Sequence, residues 1–130
     1  MEKLRFTNVW LTIGFLLIGL VICASLMPNP PELTHMQEGD KLEHVAAYFT
    51  LTFWFGQIYA KNRVRWAIGL AFIFLGVAME YLQRMTGYRT FEYGDMAADA
   101  VGVFCALLAA KTPLAKTLAV VEKHLLRRVR

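Results

Sequence analysis

Between Phe6 and Met27 the chain carries no charged residue. A helix needs about 20 apolar residues to cross a hydrocarbon core, and this run is long enough. A soluble domain would instead scatter its apolar residues at helix or strand period. Cysteine is scarce: Cys23 and Cys105 are the only two, each in apolar company, and both read as small apolar fillers with no disulfide framework. Three of the four prolines fall in Pro28-Asn29-Pro30-Pro31, where successive prolines forbid helical continuation. No small-x-small cleavage signature follows the first apolar run, so it reads as a retained anchor and not a cleaved signal. Internal repeats and low-complexity segments are absent, and no loop is long enough for a second domain.

What is present is apolar block after apolar block. Hydrophobic residues make up 57% of the chain and mean hydropathy is +0.42, so the expectation is an all-α membrane protein. Four transmembrane helices are predicted over about 7–27, 42–60, 66–83 and 96–110, forming one small bundle and one domain over 1–130. The net charge of +4 does not indicate nucleic acid, because the basic residues flank apolar blocks and are not interleaved with aromatics. The N-terminus, the Lys61–Arg65 connection and the C-terminal tail hold 11 of the 14 Lys and Arg residues. Lys41, Arg84 and Arg89 are the remainder. By the positive-inside rule both termini are cytoplasmic, and the expected location is a bacterial inner membrane.

The tail has its own pattern. Thr112-Pro113 reads as a cap and first-turn pair. Leu114, Leu118, Val121 and Leu125 then recur at helical spacing, with Lys116, Lys123, Arg127, Arg128 and Arg130 elsewhere in the segment. This predicts a short basic amphipathic helix over about 113–128, lying on anionic lipid or trailing as a positive-inside tail. In the fourth helix Ala98, Gly102, Ala106 and Ala110 give one small-residue face for close helix contact, with Asp99 beside it.

The polar residues of interest collect at the other ends of the helices. The second opens with Asp40-Lys41-Leu42-Glu43-His44, with Tyr48 one turn on. The third closes with Glu80-Tyr81-Leu82-Gln83-Arg84, Arg89 follows in the loop, and the fourth opens with Asp95-Met96-Ala97-Ala98-Asp99. Ionisable groups at membrane depth cost free energy and need partners, so a shared cluster is expected. Each also has a structural reading. Asp40 with Glu43 fits a helix start, Asp95 fits a cap, Glu80 with Arg84 fits an i,i+4 ion pair, and Lys41 fits a snorkelling cation.

The set Asp40-Lys41-x-x-His44, Glu80-x-x-Gln83, Arg89 and Asp95-x-x-x-Asp99-x-x-Gly102 resembles the VanZ-like family of small bacterial membrane proteins. That family's pattern is D-K-x-x-H, E-x-x-Q, R and D-x-x-A-N-x-x-G, and the likeness covers about residues 38–105. Asp99 stands where the family has Asn, which gives this chain an extra ionisable group. The resemblance implies a small helical membrane domain linked to glycopeptide (teicoplanin-type) resistance.

Taken together these features lead to an expected role in binding or remodelling a membrane lipid or lipid-linked envelope component. Lys41, Arg84 and Arg89 would meet an anionic headgroup, while His44, Tyr48, Glu80, Gln83, Asp95, Asp99 and Asp40 complete the polar site. The rival is a hydrolase or transferase using His44, Glu80, Asp95 and Asp99 as acid, base or hard-metal ligands. No local motif such as H-E-x-x-H marks a metal site, and no cofactor is indicated. A proton-coupled carrier is the third reading, and four short helices would need homo-oligomerisation for transport.

Overall fold

A computed structural model describes residues 3–27, 39–87 and 91–130. Every regular element among them is helical: α1 Thr7–Leu26, α2 Gly39–Ile58, α3 Asn62–Thr86, α4 Tyr93–Ala109, a 3-10 turn Pro113–Lys116, and α5 Thr117–Val129. The ends follow local chemistry. Met27, the residue before Pro28, takes φ −65° and ψ 140° and so leaves the helical region, as Pro demands of its predecessor. Gly87 ends α3 at φ +79°, a left-handed cap that glycine adopts without a Cβ penalty.

α2 is the central helix, packed most extensively on α4 and also on α1 and α3. The core is Tyr48, Leu51 and Phe55 of α2, Phe72 of α3, and Val103 and Leu107 of α4. The small-residue face of α4 accounts for the closeness of its partner: Ala98, Gly102, Ala106 and Ala110 are all buried. A Cβ at Gly102 would collide with the backbone carbonyl of Val45.

The burial pattern is inverted relative to a soluble protein. Phe15, Leu16, Leu20, Leu70, Phe74, Val101 and Leu108 are exposed, whereas Thr52, Glu80, Gln83, Asp95 and Asp99 are buried. Such a large apolar exterior has to be covered, and lipid covers it. Two helices, α1 and α3, are long and apolar enough to cross a membrane; there are three if α4 and the segment Pro113–Val129, which meet at 81°, count as one broken span. Of the four spans expected, the described residues thus show two or three. α2 begins at Gly39 and spends its first two turns on Asp40, Lys41, Glu43 and His44. α4 has 17 residues, about 26 Å of helix at 1.5 Å per residue.

The end of the bundle that carries both termini is fastened by three polar side chains. Arg65, at the start of α3, donates from Nε to the carbonyls of Gly56 (2.7 Å) and Tyr59 (3.0 Å) and from Nη1 to Ala110 (2.9 Å). It thereby satisfies the open carbonyl ends of α2 and α4 together. Gln57 accepts from the Leu118 amide at 3.1 Å. Glu122 of α5 accepts from the amides of Arg5 and Phe6, both at 2.8 Å, and from the Trp10 indole at 2.6 Å.

The tail differs from the expected stripe. Thr112 Oγ1 does accept from the Leu114 amide, with Pro113 in the first turn. However, the face of α5 turned to the protein is Leu118 and Glu122, while Leu114, Val121 and Leu125 are exposed. Glu122 has three donors to meet at the α1 N-terminus, and that contact sets the rotation of α5.

Candidate functional site

At the opposite end, α2, α3 and α4 each place ionisable side chains into one cluster. His44 lies in the second turn of α2, Glu80 about two turns from the end of α3, and Asp95 and Asp99 in the first two turns of α4. Asp95 and Asp99 share a face because they are four residues apart. That face meets α2, since Gly102 one turn on lets the two backbones touch.

His44 Nδ1 and Asp99 Oδ1 are 2.7 Å apart, and His44 Nε2 lies 3.7 Å from Asp95 Oδ2. Lys41 Nζ donates to Asp95 and to Glu92, bridging the two. Glu80 Oε2 accepts from the Glu92 amide at 3.1 Å and so holds the residue that precedes α4. The other oxygen, Glu80 Oε1, is buried with no hydrogen-bond partner among the described residues; the same holds for the Tyr48 hydroxyl. Glu80 is 1% exposed and Asp99 2%. His44, Glu80 and Asp95 each offer one ligand atom, and these atoms lie within 4.8 Å of one another.

Several readings of single residues change. Asp95 does not cap α4: the cap position is Glu92, and Asp95 sits inside the first turn with its carboxylate on Lys41 and towards His44. Glu80 and Arg84 form no ion pair among the described residues. Burial turns the Glu80 carboxylate inward, and exposed Arg84 lies over the Phe91 ring, 6.0 Å from its centroid. Gln83 is buried but faces α1, donating to the Ser25 carbonyl at 2.8 Å. It satisfies one of the open carbonyls at the α1 C-terminus and stands apart from His44. Tyr48 is buried one turn beyond His44. The backbone of Asp40 lies in the first turn of α2, and Arg89 lies outside the described residues.

Glu92 is the member that sequence reasoning overlooked. Its only signal is its place three residues before Asp95, within reach of the cation that Asp95 binds. Among the described residues, the cluster brings four carboxyl groups (Glu80, Glu92, Asp95, Asp99) against Lys41 and His44. Among the described residues the balance is acidic. No protein-family model, no curated protein and no solved structure matches the chain.

Proposed function

We propose that the chain is a four-helix, VanZ-like integral protein of the bacterial cytoplasmic membrane. Both termini are cytoplasmic, and the polar cluster at the extracytoplasmic end binds or remodels a lipid or lipid-linked envelope component. One observation carries this reading. His44, Glu80, Asp95 and Asp99 converge from three helices at the end of the bundle opposite Arg5, Arg65 and the basic tail. Along α3 the two polar layers, at Arg65 and Glu80, are 15 residues apart, about 22 Å of helix. An exterior of Leu70 and Phe74 lies between them. Buried ionisable residues at such a depth are expensive, and their usual reason is a ligand or a reaction.

A catalytic role is the second reading, and the His44–Asp99 contact favours it. A carboxylate on Nδ1 fixes the imidazole tautomer and leaves Nε2 as base or ligand, facing Asp95. Native mass spectrometry of the protein extracted from bacterial membranes tests the binding reading. Wild type should retain a specific lipid or lipid-linked adduct that His44→Ala and Glu80→Gln lose while still folding. Equal adducts on all three proteins would sink it. Turnover of the retained molecule would favour the catalytic reading over binding alone.

A further inference from the structure

Among the described residues the cluster is acidic, and a cation held there would let it meet an anionic lipid component. We propose that His44, Glu80 and Asp95 bind one divalent metal ion of the Zn²⁺ or Mn²⁺ class, with Asp99 positioning the histidine. The proposal goes beyond the reading above and stands without it, because ion binding needs no lipid.

Three observations bear on it. First, one ligand atom from each of His44, Glu80 and Asp95 lies within 4.8 Å of the others, on three separate helices. Bonds of about 2.0–2.2 Å to one ion would set such ligands roughly 3.4 Å apart in tetrahedral geometry. The three side chains would need to draw in by about an ångström, which side-chain torsions supply. Second, Glu80 Oε1 has no partner among the described residues although Glu80 is 1% exposed. A buried carboxylate oxygen left unsatisfied is costly, and its companion oxygen is already committed to the Glu92 amide. The Tyr48 hydroxyl, buried one turn from His44, is likewise unpaired among the described residues and would suit a water bound to the ion.

Third, the histidine is arranged as metal-binding histidines are. A ligating imidazole commonly donates its other ring N–H to a carboxylate, which fixes its orientation and raises its basicity. Asp99 Oδ1, 2.7 Å from Nδ1, is placed to accept that proton, and Nε2 is turned towards Asp95. The tautomer follows from Asp99 being the natural acceptor there.

The donor set selects the ion. One imidazole nitrogen with two carboxylates is poor for Mg²⁺ or Ca²⁺, which favour all-oxygen shells, and contains no thiolate for soft ions. Three protein ligands leave at least one position open, as in catalytic zinc sites, where a water or a phosphate oxygen can bind. The ion would also offset the excess, among the described residues, of Glu80, Glu92, Asp95 and Asp99 over Lys41.

The test uses the full chain in detergent, stripped with EDTA and then dialysed against Zn²⁺ or Mn²⁺ alone. Metal retained after gel filtration is measured by plasma mass spectrometry, and affinity by calorimetry. Wild type should retain one ion per chain, and its unfolding temperature should rise when the ion is added. Glu80→Gln and His44→Gln should weaken binding by about 100-fold or more, and Asp99→Asn, which removes only the positioning charge, by about 10–100-fold. His124→Ala, at an exposed histidine in α5, should leave binding unchanged. Retention by none of the proteins, or equal retention by wild type, Glu80→Gln and His44→Gln, overturns the proposal. If the site variants do not fold, the wild-type unfolding temperature decides: no rise with either ion overturns it.

Discussion

Gly76 of α3 leaves the space that the Asp99 carboxylate of α4 fills: a Cβ at position 76 would lie 2.7 Å from Asp99 Oδ2 and 3.1 Å from Asp99 Cβ. The carboxylate oxygen could turn aside, but only by leaving His44, and Asp99 Cβ is fixed to the backbone, so Gly76→Ala must push α4 away or turn Asp99 off His44. Overpacking of this kind costs about 1–3 kcal/mol. The expected result is a lower unfolding temperature in detergent. Gly19→Ala, where a Cβ would meet nothing within 4 Å, serves as the control and should be neutral or slightly stabilising. Equal stability of both variants would show that the α3–α4 contact is looser than described.

Asp99 separates a hydrogen-bonding role from an ionic one. Asn at this position keeps an oxygen that accepts from His44 Nδ1 and keeps the fit against Gly76, so Asp99→Asn should fold with near wild-type stability. Asp99→Leu leaves the imidazole N–H unpaired, at about 1–3 kcal/mol, and sets a branched side chain against Gly76. It should fold poorly and lose any adduct. A Leu variant as stable as wild type, judged by thermal unfolding, would place residue 99 against lipid instead.

The sequence made the helical blocks and the converging acids legible because both are local signals. A charge-free run and a D-K-x-x-H spacing need no knowledge of the fold. The rest depends on contacts distant in sequence. Glu122 reads as one more polar residue of a basic tail, because the amides it satisfies, those of Arg5 and Phe6, are 117 and 116 residues away. Arg65 reads as a topological charge, yet it ties Gly56, Tyr59 and Ala110 together. Glu80 reads as the partner of Arg84 by spacing, and burial assigns its carboxylate to the Glu92 amide instead. Helical spacing offers Arg84 alone, and only packing brings the Glu92 amide, 12 residues on and beyond the end of α3, to Glu80.

Topology is tested by reporter fusions. Fusions after residue 35 and after residue 90 should report the extracytoplasmic side, and fusions after residue 63 and at the C-terminus the cytoplasm. α2 has a polar first turn and α4 is short, so these two helices are where the four-span arrangement is most exposed to failure. A cytoplasmic signal from the 84–95 connection would move the cluster to the other face and remove the envelope component as its ligand.

Glu122 gives the chain a pH dependence that lies outside the cluster. Burial pushes its carboxyl up, but hydrogen bonds from the Arg5 and Phe6 amides and the Trp10 indole, with the Arg5 charge, outweigh it and hold the group below its ordinary value. A carboxylate whose pKa is depressed on folding stabilises the folded state above the ordinary value, and that stability is lost as pH falls through the folded pKa. The window therefore lies below about pH 4.3, the ordinary glutamate value. Glu122→Ala removes the acceptor from the α1 N-terminus, which should cost about 0.5–2 kcal/mol at neutral pH. Glu122→Gln keeps an acceptor oxygen without the charge, so it should lie between the two. Unfolding temperatures of wild type and Glu122→Gln, measured from pH 7 down to about pH 3, should differ at neutral pH and converge in acid. A gap that stays constant over that range would show that the charge of Glu122 contributes nothing and that only its shape holds α5 against α1.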